Sequence, residues 1–207
     1  MKQSEKQCAC REMRLIGVTG GIGSGKSEVL AYLEKRWGAK VIRLDDISRG
    51  LLSENGKCTQ AAVDLLGREI VTADGTLDRK LIASKILKDE KLRTGLDAII
   101  HPEVKKETLR LVREYRKEGA LVCAIEAALL IEEKYDEICD ELWYIYASEK
   151  TRRERLIRTR GYSEEKIRQF FGRQLSEGEF RRHADLVIDN DGEFSETEKQ
   201  IDKGLGK

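Results

Sequence analysis

The run Gly20-Gly21-Ile22-Gly23-Ser24-Gly25-Lys26-Ser27 has glycine, lysine and a hydroxyl residue at the spacing G-x-x-x-x-G-K-[ST]. Each residue type there has a chemical reason. Glycines let the backbone curl until successive N–H groups face one anion, and a helix starting near Lys26 adds the positive end of its dipole. Gly21, Gly23, Ser24 and Gly25 then form a backbone cradle for phosphate. Lys26 bridges the β- and γ-phosphates, Ser27 offers its hydroxyl to Mg²⁺, and the Glu28 amide reaches the α-phosphate. By average composition such a pattern arises by chance in roughly one chain of this size in a hundred, so a ligand-free glycine turn is the weaker reading.

A phosphate loop says what is held, not what is done with it. No Asn-Lys-x-Asp base-reading motif is present, and Asp64-Leu65-Leu66-Gly67, which fits half of a GTPase signature, falls in a helical stretch. Residues 175–178 (LSEG) resemble a transporter-ATPase signature only superficially, since the chain is short for that class and lacks a second glycine there. A small kinase remains. Such an enzyme needs a carboxylate to orient the acceptor hydroxyl or take its proton. Asp45, directly after a strand, meets that need, but it or Asp46 would equally cap a helix starting at Ile47. Glu126 follows five apolar residues at another strand end, where a carboxylate can hold Mg²⁺ through water; a solvated strand end is the alternative. Arg155 and Arg158 share a helical face, and with Arg160 they suit a lid over a triphosphate.

These residues need a scaffold that brings loop ends together. Apolar runs at residues 14–19, 39–44, 120–125, 141–147 and 185–189 read as five strands separated by helical stretches, the alternation of a parallel sheet covered by helices on both faces. The first helix runs over residues 26–37 and is closed by Gly38. The expected class is α/β, with a core of residues 14–49, 119–147 and 184–207. Two strandless segments interrupt it. Residues 50–118 contain the turn Asp74-Gly75 and a last helix expected to start near His101-Pro102, the chain's one proline. Residues 148–183 form the other. Between 150 and 182 there are 11 basic and 5 acidic residues, a net of +6, against −5 for the rest of the chain.

The 207 residues suffice for one compact unit or one with small lobes, and a net charge of +1 argues against whole-molecule attraction to nucleic acid or anionic membrane. No run approaches the roughly 18 apolar residues of a membrane span, so a soluble cytoplasmic protein, a monomer or weak homo-oligomer, is expected. The cysteines are five, with no CxxC pair, and only two histidines accompany them, which disfavours both a disulfide scaffold and structural zinc. Cys123, in an apolar run, reads as a small buried hydrophobe. Residues 1–13 read as a disordered extension, with Met13 a plausible translation start beside Met1.

With these parts in order, the sequence resembles the dephospho-CoA kinase family over residues 14–192. The resemblance is carried by IGVTGGIGSGKS, VIRLDDISR, LLGREIVTADGTLDRKLIASKIL, His101-Pro102, ALLIE, RTRGYSEEKI and ADLVIDNDG. It implies a P-loop core, a helical domain at 50–118 that receives the coenzyme A precursor, and a lid at 148–183. It further implies ATP and Mg²⁺ as co-substrate and ion, and phosphorylation of the 3′-hydroxyl of dephospho-CoA, with Asp45 as base or hydroxyl orienter. Two departures stand out. Arg43 occupies the first position of a common Asp-x-Asp pair, and Ala128 replaces a usual proline. His101 matches a family signature but reads as structural, and His183 as a solvated residue. The rivals are another P-loop kinase acting on a nucleoside or nucleotide, and a nucleotide-binding module without turnover. RNA binding by the basic segment is disfavoured, because Tyr162, Phe170, Phe171 and Phe180 have helical-core spacing rather than that of a stacking platform.

Overall fold

β1 (Arg14–Thr19) leads through the phosphate loop into α1 (Lys26–Trp37), which ends at Gly38, and β2 (Lys40–Arg43) follows. The computed structural model describes residues 12–127 and 129–206. The expectation for residues 1–11, and the one for Ala128, lie outside the described residues. Met13 was expected in the extension; it is instead 6% exposed and part of the apolar interior.

After β2 come α2 (Leu44–Leu51), α3 (Thr59–Leu66), α4 (Arg79–Lys88) and α5 (Glu90–Lys117). The remainder is β3 (Val122–Glu126), β4 (Glu141–Tyr146), α6 (Glu149–Arg160), α7 (Glu164–Phe171), α8 (Glu177–His183), β5 (Leu186–Asp189) and α9 (Phe194–Leu205). The strands form one sheet in the order β2-β3-β1-β4-β5. β1 pairs in parallel with both β3 and β4, and β4 with β5. The chain divides into two compact units, one of them Ile42–Glu114 and the other the rest.

Period-two alternation decides which strand residues meet which layer. Ile16, Val18, Val122, Ala124, Trp143, Ile145 and Ile188 share one apolar cluster with Val29, Leu30 and Leu33 of α1 and Ile201 of α9. Asp202 on α9 accepts from the Trp37 indole at 2.8 Å and from the Tyr32 hydroxyl at 3.0 Å, which ties the two helices together by their polar edges. Leu15, Cys123, Ile125, Leu142 and Tyr144 point to the other face and are also buried; there Phe180 of α8 stacks on Tyr144 at 4.8 Å. Both faces are therefore covered, as near-continuous apolar strands require.

Burial raises the thiols of Cys123 and Cys139 to about 12 each. At pH 8 only about one in ten thousand such thiols is ionised. Peptide mapping after alkylation should find both unmodified in native protein and modified in urea; native labelling would show that the interior opens.

In the unit Ile42–Glu114, Asp64 lies inside α3 and Gly67 stops that helix, so the half-signature there is a helix end. Val71 and Leu77 bridge across the Asp74-Gly75 turn. The structure corrects one expectation: no helix starts at His101-Pro102, because α5 runs through it. Leu96, Ile100, Val104, Thr108 and Val112 are buried at four-residue steps on both sides of Pro102. An internal proline costs about 3 kcal/mol. Burying each aliphatic residue of that stripe contributes roughly 1.5–3 kcal/mol, so packing prevails over the lost hydrogen bond.

Candidate active site

The phosphate loop joins the end of β1 to the first turn of α1, and the sheet edge beside it supplies its supports. Gly25 has φ 91, and a Cβ there would lie 2.1 Å from the Asn190 amide nitrogen, so handedness and space both demand glycine. Asn190, 1% exposed, follows β5 and donates from its side chain to the Ser24 carbonyl at 2.8 Å. Its Oδ1 accepts from the Thr197 hydroxyl at 2.9 Å. Arg155 of α6 donates to the Asn190 carbonyl at 2.8 Å and to the Ser24 carbonyl at 3.4 Å. Together β5 and α6 anchor the loop through its Ser24 carbonyl.

Lys26 Nζ donates to the Gly20 carbonyl at 2.7 Å and to that of Gly21 at 3.4 Å, which holds the ammonium against the start of the loop. Gly23, Gly25, Lys26, Ser27 and Glu28 line a cleft of about 310 Å³ together with Glu126 from the end of β3 and Arg155, Arg158 and Arg160 from α6. Gly21 and Ser24 do not line it. Gly21 is buried under Arg152, and the Ser24 hydroxyl is buried with no hydrogen-bond partner among the described residues. Four cations facing two carboxylates suit a polyphosphate accompanied by a divalent ion. The Ser27 hydroxyl and Glu126 carboxylate are hard oxygen donors of the kind Mg²⁺ takes.

The basic segment sorts by contact. Arg153 pairs with Glu149 and Glu164, and Arg181 with Glu177, surface contacts of small energetic weight. Where the segment meets the sheet, the Thr151 hydroxyl, helped by the Ser148 amide, holds the Asp191 carboxyl below the usual carboxylate range. Arg155 faces the cleft and the loop's support at once. Arg155→Met should therefore destabilise the ligand-free protein by about 1–3 kcal/mol, because two carbonyls lose a charged donor. Urea denaturation checks this; an unchanged midpoint would mean that the arginine matters only to ligand.

Asp45 belongs to the other unit, as the exposed second residue of α2. Arg43 takes the N-cap position, with no side-chain cap bond, so neither Asp45 nor Asp46 is the capping residue; Asp46 pairs with Arg49 at 2.8 Å. Asp45 lines a separate cavity of about 290 Å³, whose polar members are Ser48, Arg49 and Arg79 and whose apolar members include Leu52, Leu77 and Ile82. Arg79 opens α4, which Asp78 caps by accepting from the amides of Lys80 and Leu81.

The Dephospho-CoA kinase family model matches residues 14–196. The chain belongs to the dephospho-CoA kinase family. It is 37% identical to the dephospho-CoA kinase of Symbiobacterium thermophilum over 190 residues, covering 92% of this chain and 79% of the relative. With the dephospho-CoA kinase of Enterococcus faecalis it shares 35% identity, covering 93% of this chain and 96% of the relative. A Thermus thermophilus protein of known crystal structure superposes with a TM-score of 0.79 at 28% identity, covering 94% of this chain and 97% of that one. The dephospho-CoA kinase of Campylobacter jejuni, 21% identical, has the same fold, with a TM-score of 0.69 over 93% of this chain and 95% of its own. Of the runs that carry the resemblance, the phosphate loop and RTRGYSEEKI lend residues to the first cavity and VIRLDDISR and LLGREIVTADGTLDRKLIASKIL to the second, whereas His101-Pro102, ALLIE and ADLVIDNDG line neither among the described residues.

Sequence reasoning missed Asn190, Arg152 and Gln174. Asn190 could have been found, since the residue that directly follows β5 stands at the same sheet edge as the loop. Arg152 and Gln174 gave no such signal: one is an arginine among many and the other a glutamine between helices.

Proposed function

We infer that this chain transfers the γ-phosphoryl group of ATP to the 3′-hydroxyl of dephospho-CoA, giving CoA and ADP. The observation that carries the inference is the family match over residues 14–196, together with a cleft that gathers Lys26, Ser27, Glu126 and Arg155. In this reading the loop amides and Lys26 bind the phosphates of ATP, and Arg155 and Arg160 neutralise charge on the transferring group. Ser27 and Glu126 would hold Mg²⁺, which when bound screens phosphate charge. Residues 148–183 act as the lid.

Asp45 orients the acceptor hydroxyl and accepts its proton as the new P–O bond forms. Support comes from its own cavity, where Arg49 and Arg79 offer charge to a diphosphate and the apolar members offer surface to a long, weakly polar arm. Dephospho-CoA has both features, and an unmodified nucleoside has neither. Residues 50–118, together with Asp45, Ser48 and Arg49 of α2, therefore receive the acceptor. No helix among the described residues is long and apolar enough to cross a membrane. The reading assigns a cytoplasmic reaction between small molecules, without nucleic acid, carried out by a monomer or weak homo-oligomer.

Mass spectrometry of the products tests the assignment. Purified protein with ATP, Mg²⁺ and dephospho-CoA should yield CoA and ADP in equal amounts, and ADP without CoA would replace the kinase reading with a simple ATPase.

A further inference from the structure

The tip of the phosphate loop is held by residues that no part of the reaction above uses. Gln174, just beyond α7, accepts through Oε1 from the Ile22 backbone N–H at 3.2 Å and, more weakly, from Arg152 Nη1 at 3.4 Å. The Arg152 guanidinium lies over the Phe171 ring, 4.4 Å from its centroid. It also crowds the loop so closely that a Cβ on Gly21 would fall 1.9 Å from Nη1. Gly23 meets the Arg152 carbonyl in the same way, at 2.8 Å from a Cβ position. Residues 21–23 are thus enclosed by α6 and the end of α7.

We propose that Gln174 is a positioning residue for nucleotide binding, acting through the Ile22 amide and Arg152 rather than by touching phosphate. This rests on the reading of the loop as the ATP phosphate site. Gly20, Gly23 and Gly25 all have positive φ, at 147°, 82° and 91°. A loop so rich in glycine has many alternative conformations, and ordering it only when ligand arrives would weaken binding. An amide committed to Gln174 also cannot turn toward an anion, so the contact decides which loop N–H groups remain for phosphate. A neutral amide oxygen does this without the repulsion that a carboxylate would bring next to a triphosphate.

The test compares wild type with Gln174→Met, which keeps the length of the side chain and removes the acceptor, and with Gln174→Glu, which keeps an accepting oxygen. Calorimetric titration with ADP should give about fivefold weaker binding for Gln174→Met, the size of one net hydrogen bond. The KM for dephospho-CoA should stay near wild type, and the apo thermal midpoint should fall by no more than the roughly 2–4 °C that one hydrogen bond is worth in a chain of this size. Hydrogen exchange in the ligand-free protein should show the Ile22 amide protected in wild type and Gln174→Glu and exposed in Gln174→Met. Equal ADP affinity in Gln174→Met, or loss of Ile22 protection in Gln174→Glu, would overturn the assignment. A folded wild type that binds no ADP would instead overturn the phosphate-site reading itself.

Discussion

Lys26→Ala is expected to lower kcat by roughly 10²- to 10³-fold, the scale seen when one preorganised donor to a developing charge is removed. The ammonium contacts the Gly20 and Gly21 carbonyls, and the cleft places it with Ser27 and Arg155 around the phosphate loop. The positive charge matters most when negative charge builds on the transferring phosphoryl, so kcat should fall more than affinity for ADP. Fold stability should change little, because the charge of Lys26 acts chiefly on phosphate that arrives only with ATP. Urea midpoints and single-turnover rates measured together decide this. A collapse of the apo midpoint would make Lys26 structural, and a wild-type rate would remove it from the chemistry.

Asp45→Asn is expected to reduce turnover by roughly 10²- to 10⁴-fold, the usual contribution of a positioned general base. The substitution keeps shape and hydrogen-bonding length and removes only the ability to take a proton. Asp45 is not the cap of α2, and as one of two acids in its first turn it contributes at most about 1 kcal/mol through the helix dipole, too little to account for such a loss of turnover. ADP affinity should be unchanged, because the phosphate cleft draws on a different set of residues. The KM for dephospho-CoA should move by only a few fold. Turnover equal to wild type would remove Asp45 from proton transfer and leave Arg49 and Arg79 as binding groups alone.

Much of this site was legible in the residues because its parts are local in sequence. A strand of five buried residues, a glycine loop and a helix closed by Gly38 lie within residues 14–38, where period and turn chemistry speak plainly. The placement of Asp45 and Glu126 at or just past strand ends was legible for a related reason, each ending or following an apolar run. The departures are places where distant packing decides. Pro102 reads locally as a helix start, yet a buried stripe from Leu96 to Val112 carries the helix through it. Met13 reads as part of a polar tail, yet it is buried. Arg155 reads as one of several lid arginines, but its bonds reach Asn190, 35 residues away, and Ser24, 131 residues away, and no spacing rule reaches that far.

The most direct measurement compares kcat/KM for three acceptors, dephospho-CoA, adenosine and AMP, at saturating ATP and Mg²⁺ in a coupled ADP assay. A site with two arginines and an apolar surface beside Asp45 should favour dephospho-CoA by at least about 10³-fold, since a polar site left without its partner groups discriminates that strongly. The product should be CoA, phosphorylated at the 3′-position. Comparable rates for adenosine or AMP, or phosphate on any other hydroxyl, would contradict the account.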